Sequence, residues 1–282
     1  MTRQVIETPS PGNQRKIDYY MSTARDFADA PGKPSFRYLL CSSPRCGSTL
    51  LGEMLYGTGV AGDPLEYLNG LYVASHLRQS APSGKLSLQQ YLGEIQKRRT
   101  SPNGYFGIQI HFAHFNRTIG RHPDQTLEFL RAQDRIILLR RRDKVAQAVS
   151  LYRATVTGIY SSLDQERQTE AEIASAKNRE IPYDRNRIAE FLKGVIWQDA
   201  GWESLLLQRH IPYQELYYED LTADYRNQSR RVLEHLNLAI APEDIPEQKL
   251  RKLGTEQDPL LCRFREYLGL STNWNHQTEG LC

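Results

Sequence analysis

No stretch of this chain approaches the ~18 consecutive apolar residues of a membrane-spanning helix. Residues 1–35 are polar and rich in proline, glycine and charge, with no apolar signal core. The expected protein is therefore soluble and cytoplasmic. Cysteine is scarce: Cys41, Cys46, Cys262 and Cys282 form neither a Cys-x-x-Cys pair nor a zinc spacing, so no structural metal is expected. A Cys-x5-Arg phosphatase loop is missing too, because Gly47 and Gly52 stand where its arginine would follow Cys41 or Cys46. Neither charge sign is in large excess. A net charge of +3 is too mild to argue for nucleic acid, and clustered arginines point instead to a small anionic ligand. Internal repeats and low-complexity tracts are absent as well.

What is present fits one α/β domain. The length of 282 residues leaves room for insertions. Short apolar or aromatic runs at 36–42, 105–112, 135–140 and 212–218 read as strands. Helical patterns lie between them, at 48–57, 144–157 behind Asp143, 187–209, and 224–237 behind Thr222. That alternation predicts a P-loop-like, three-layer fold with a central, mostly parallel sheet flanked by helices. The expected organisation is a polar N-terminal extension over 1–35, a domain over 36–270 and a tail over 271–282. Within the domain, the polar stretch 161–187 reads as an insertion or lid.

The most informative stretch is Phe36 to Gly52, where an apolar strand runs into Ser43-Pro-Arg-Cys-Gly-Ser-Thr49 and then an apolar helix. A strand turning tightly into a helix aims backbone N–H groups and the positive end of the helix dipole at one spot, which suits phosphate. A Walker loop would read Gly-x4-Gly-Lys-Ser/Thr. Here Ser42 stands at the first glycine and Ser48 at the lysine, and the cation is Arg45, inside the loop. The strand at 135–139 ends not in a metal-holding aspartate but in Arg140-Arg141-Arg142. Phosphoryl transfer leans on Mg²⁺, whereas a sulfuryl group carries less charge and suits a metal-free, arginine-rich site. A small-molecule kinase and a non-catalytic nucleotide-binding scaffold are the competing readings.

Two further stretches complete the candidate site. Arg142 at the tip of the third strand and Ser150 two turns into the next helix can converge on one anion, implying a ligand with two separated phosphates. Asp63 and Glu66 flank Pro64 just after the first helix, placing carboxylates suited to binding hydroxyls and removing a hydroxyl proton. His111, after the second strand, is the rival base, with His114 close by. Tyr160, Trp197 and Trp202 read as packing aromatics, with Tyr160 also suited to stacking on a sugar. Cys46 reads as a small loop residue contributing its N–H.

Ser43-Pro-Arg-Cys-Gly-Ser-Thr-Leu-Leu51, Gly59-Val-Ala-Gly-Asp-Pro-Leu-Glu66 and Arg141-Arg-Asp-Lys-Val-Ala-Gln-Ala-Val-Ser150 together resemble the bacterial trehalose 2-sulfotransferase family. That resemblance spans roughly 36–240. It implies the donor 3′-phosphoadenosine 5′-phosphosulfate (PAPS), no metal, and a carbohydrate or glycolipid hydroxyl as acceptor. It also implies a homodimer. Under it, Arg45 and the N–H groups of Cys46, Gly47, Ser48 and Thr49 hold the 5′-phosphosulfate, and Arg142 and Ser150 hold the 3′-phosphate. Glu66 is the general base, and Asp63 contacts the sugar. His111, from its own place after the second strand and apart from the resemblance, reads as a structural or acceptor-lining residue. Arg251-Lys-Leu-Gly254 is a candidate donor-closing loop.

Overall fold

In the computed structural model, residues 11–80, 87–163, 181–252, 254 and 257–270 are described. The expected tail 271–282 lies outside them, as does 164–180 of the expected insertion. Strands β1 (Phe36–Ser42), β2 (Tyr105–His111), β3 (Arg135–Arg140) and β4 (Gln214–Tyr217) form a parallel sheet in the order β2-β1-β3-β4. Parallel strands need both faces covered, and β1 alternates accordingly. Leu39 and Cys41 join one buried cluster with Ile108, Ile136 and Leu138. Tyr38 and Leu40 join the other with Ile137, Leu139 and Leu216. The chain leaves β1 for β2 on one side and crosses to β3 on the other, so the carboxyl end of β1 is the crevice where an open α/β sheet binds ligands.

The helices that place the site are α1 (Pro11–Tyr20), α2 (Ser48–Gly57) and α3 (Gly70–Ser80) on one side of the sequence. They are followed by α4 (Leu88–Arg99), α5 (Phe112–Thr118), α6 (Pro123–Arg131) and α7 (Lys144–Thr157). Then come α8 (Arg185–Gln208), α9 (Tyr218–Ala223), α10 (Tyr225–His235) and α11 (Pro259–Tyr267). Asp143 caps α7 as expected, accepting from the Ala146 N–H. The cap of α10 is Asp224 rather than Thr222, whose hydroxyl donates back to the Tyr218 carbonyl inside α9. Residues 185–187 of the expected insertion are the first turn of α8.

Residues 1–10 of the expected extension lie outside the described residues, and the part from residue 11 to β1 is polar in composition yet packed in place. Ile17 and Tyr20 of α1 are buried in the cluster that covers one face of the sheet. Arg25 is buried as well, donating to both carboxylate oxygens of Asp63 and to Glu53, with its guanidinium 3.9 Å from the Tyr56 ring centre. Among the described residues, no helix is long and apolar enough to cross a membrane.

Candidate active site

The loop between β1 and α2 is shaped by two left-handed residues. Arg45 has φ 67° and Gly47 φ 93°. A non-glycine residue held there is strained, and such strain gathers at functional sites. Gly47 admits no side chain, since a Cβ would lie 2.6 Å from the Tyr218 ring. It is also the N-cap of α2 and offers no side-chain acceptor to the first N–H groups of the helix. Behind the loop a buried network fixes its entry. Asp199 of α8 accepts from the Ser43 hydroxyl and from Lys144, while Gln147 of α7 donates to Ser43 and to the Pro44 carbonyl.

In front of the loop opens a cavity of about 550 Å³, within the range of small-ligand sites. Arg45, Thr49, Arg141, Ser150, Tyr160 and Arg251 are among its walls. Arg45 Nε donates to Ser150 Oγ at 3.0 Å, and its guanidinium also reaches the Tyr160 carbonyl. The loop after β1 and the helix after β3 are thereby joined, by Arg45 rather than by Arg142. Arg141 is 8% exposed, lies 4.8 Å from the Tyr218 ring centre, and donates to the Arg45 carbonyl; its buried Nε makes no hydrogen bond but lies 3.9 Å from Glu219 Oε1, an ion pair in the same cavity wall. A guanidinium with hydrogen-bonding capacity left in the wall of a cavity suits an anion.

A second, smaller cavity of about 30 Å³ adjoins it, and Thr49, Tyr160 and Ser161 line both. Glu66 lines the small one together with Lys16, Tyr20 and Gln109. Its position follows from the backbone: Leu65 bridges Ile108 of β2 in parallel fashion, and the Gln109 N–H donates to the Leu65 carbonyl. Glu66 is thus laid beside the carboxyl end of β2. Its carboxylate accepts from Gln109 Nε2 and Asn69 Nδ2, with His111 Nε2 at 3.2 Å and His114 Nδ1 at 3.8 Å. Burial alone would raise its pKa. The charge and hydrogen bond of His111, then Lys16 and His114, outweigh burial and hold it well below the usual carboxylate range. Burial pushes His114 down to about 4, so that imidazole is neutral at physiological pH.

A family model described as Stf0 sulphotransferase matches residues 37–266. The chain belongs to that sulphotransferase family. Trehalose 2-sulfotransferase of Mycolicibacterium smegmatis (strain ATCC 700084 / mc(2)155) is 27% identical, the match covering 81% of this chain and 94% of that protein. Trehalose 2-sulfotransferase of Mycobacterium tuberculosis (strain ATCC 35801 / TMC 107 / Erdman) is also 27% identical, over 83% of this chain and 97% of that one. Among solved structures, the sulfotransferase domain of the Synechococcus PCC 7002 olefin synthase aligns with a TM-score of 0.40 and 16% identity, covering 87% of this chain and 98% of that domain.

Around this candidate site, several residues sit elsewhere than expected. Arg142 does not face the cavity. It follows Arg141 beyond the end of β3 at Arg140, in the bend that leads into α7. Its guanidinium lies 41% exposed against Asp220 and 4.0 Å from the Tyr217 ring centre. Arg141, which the run of three arginines could not single out, takes the inward place. Asp63 is fully buried, both oxygens held by Arg25 and one also by Arg99, and it borders neither cavity.

His111 stands behind Glu66, with Nδ1 on the Ser42 hydroxyl and Nε2 on the carboxylate, and lines neither cavity. Ser42 and His111 are register partners at the ends of β1 and β2, which accounts for the contact. The Cys46 thiol is buried in the core, and burial pushes it up to about 12, so only its backbone is placed to serve a ligand. Trp202 packs as expected, donating to the Ser42 carbonyl, whereas Trp197 is 49% exposed with one edge on Phe112. Arg251 and Lys252 do line the large cavity.

Proposed function

We propose that this protein transfers a sulfuryl group from PAPS to a hydroxyl of a trehalose-like carbohydrate, with Glu66 as the general base. The observation that carries the reading is the meeting of two cavities at Thr49, Tyr160 and Ser161, a large one lined by Arg45, Arg141 and Ser150 and a small one lined by Glu66. Family membership and the names of the two mycobacterial relatives support the reaction class and the sugar acceptor.

Under this reading, Arg45 and the N–H groups of Gly47, Ser48 and Thr49 hold the 5′-phosphosulfate, and Arg141 and Ser150 hold the 3′-phosphate. PAPS supplies an activated sulfuryl group. As the acceptor oxygen bonds to sulfur, the hydroxyl proton passes to the Glu66 carboxylate, and the bond from sulfur to the phosphate oxygen breaks. Arg45 and the helix dipole meet the charge left on that phosphate. The carboxylate is ionised throughout the physiological range, and Gln109, Asn69 and His111 fix its orientation.

The test is calorimetric titration of the purified protein with 3′-phosphoadenosine 5′-phosphate in the absence of metal, beside ATP with Mg²⁺. It is followed by assay of radiolabelled sulfuryl transfer from PAPS to trehalose and related sugars. Micromolar, metal-independent binding of the bisphosphate and label in a sugar are expected. Preference for Mg²⁺-ATP would overturn the reading in favour of a kinase.

A further inference from the structure

Ser48 occupies the place of a Walker lysine, yet an ammonium reaches the site from elsewhere in the chain. Among the described residues lining the small cavity, Lys16 is the one cation. It lies on α1, ahead of the segment 37–266 that the family model matches. Ile17 and Tyr20 seat this helix in the core, and Tyr20 rests 6.4 Å from Tyr72 of α3, ring centre to ring centre. Lys16, one turn before Tyr20, is half-buried and enters the cavity beside it. Its Nζ lies 5.1 Å from the centre of the Tyr160 ring, in cation–π range. The carbonyl of the same Tyr160 accepts from Arg45. Lys16 therefore stands between the Glu66 side of the site and the phosphate-loop side.

We propose that Lys16 is a further catalytic residue, whose ammonium meets the transferring sulfuryl group where the two cavities join. This rests on the function proposed above. In the transfer, the sulfur–oxygen bond to the 5′-phosphate breaks while one to the acceptor oxygen forms. The phosphate keeps the electron pair, and the hydroxyl proton goes to Glu66. The non-bridging sulfuryl oxygens carry negative charge throughout. Arg45 and the loop N–H groups serve the phosphate end, and Lys16 supplies a cation from the acceptor end, beside the base.

The test uses the full chain and its Lys16→Met and Lys16→Arg variants. Lys16→Met is expected to lower kcat by about 10²-fold, the usual loss on removing one preorganised charge-stabilising donor. The affinity for 3′-phosphoadenosine 5′-phosphate, the acceptor KM and the melting temperature are expected to stay unchanged, and Lys16→Arg to restore most of the rate. A second readout needs no turnover. Amine acylation of Lys16 in the wild-type chain, read by peptide mass spectrometry without acceptor, is expected to be shielded by PAPS and not by the bisphosphate, which differs only by the sulfuryl group. Equal shielding by both, an unchanged kcat, or a loss confined to the acceptor KM would overturn the proposal. So would a lowered melting temperature that Lys16→Arg fails to restore. If the wild-type chain binds neither nucleotide, the sulfotransferase reading fails and this one with it; binding of both with equal shielding sinks this one alone.

Discussion

Arg25 grips Asp63 through two parallel hydrogen bonds, Nε to Oδ2 at 3.0 Å and Nη2 to Oδ1 at 2.6 Å, in a site where neither side chain is more than 4% exposed. The pair ties the segment ahead of β1 to the loop that carries Glu66. A second guanidinium, Arg99, shares the same carboxylate. Asp63→Asn would leave two buried arginines short of their counter-charge, and removing one partner of such a group costs about 3–5 kcal/mol. The expected outcome is a large drop in the denaturant midpoint with bisphosphate affinity preserved in the folded fraction. A variant of normal stability that instead raises the acceptor KM would return Asp63 to the sugar.

Arg141 and Arg142 separate the inward from the outward member of the arginine run. Loss of a charged hydrogen-bond donor to a phosphate is worth about 1.5–3 kcal/mol, or roughly 10–100-fold in affinity. Arg141→Ala is expected to weaken 3′-phosphoadenosine 5′-phosphate by that factor. Arg142→Ala removes an exposed pair with Asp220 and is expected to change little. Calorimetry on both variants decides which arginine the ligand meets; the reverse order would mean that Arg142 turns inward when the site fills.

Much of the scaffold could be read before folding, because its signals are local. The strands are short apolar runs, and β1, β3 and α7 end where the apolar pattern or the Asp143 cap says they should. What escaped reading depends on distant partners or on register. Asp63 looks like any polar loop residue until Arg25 and Arg99 arrive from 38 and 36 positions away. Three adjacent arginines look alike until the end of β3 fixes which side each faces. Among its described side chains, helix α1 is anchored by Ile17 and Tyr20 with Tyr19 packed beside them, too few apolar residues to make a stripe in a polar segment.

Gly47 couples backbone to site. Gly47→Ala would force a side chain at φ 93° and press a Cβ within 2.6 Å of Tyr218, whose ring also lies beside Arg141. The strain alone costs about 1–3 kcal/mol. The expected result is a lower melting temperature together with weaker bisphosphate binding. Adding Tyr218→Ala to relieve the clash is expected to leave the binding loss in place, because the backbone penalty remains.

His114 sets a pH dependence of stability. Its pKa is about 4 in the folded chain against an ordinary 6.5, so between those values the unfolded chain takes up a proton that the folded one does not. Stability is full above pH 6.5 and is lost as the pH falls toward 4, by at most about 3 kcal/mol. His235, lowered in the same direction by burial, adds to the slope, while Glu66 contributes only below the ordinary carboxylate range. Unfolding free energy measured from pH 7 to pH 5 is expected to fall less steeply in His114→Gln than in the wild-type chain; parallel slopes would mean that His114 is not shifted.

Glu66→Gln isolates the proton transfer from the binding of either substrate. The amide keeps the shape of the carboxylate but has a single acceptor oxygen, so it can keep only one of the two hydrogen bonds donated by Gln109 and Asn69, and it no longer accepts a proton. Removing a positioned base costs typically about 10²–10⁴-fold in rate. The large cavity proposed for the bisphosphate lies on the other side of Thr49 and Tyr160, so the affinity for that ligand is expected to stay near the wild-type value while kcat for sulfuryl transfer drops by that factor. His111→Ala removes the group behind the carboxylate rather than the base itself. It is expected to cost less, and to shift the acid limb of the pH–rate profile upward, because Glu66 loses the neighbour that contributes most to its low pKa. If His111→Ala abolished transfer while Glu66→Gln retained it, the assignment of base and positioning residue would be reversed.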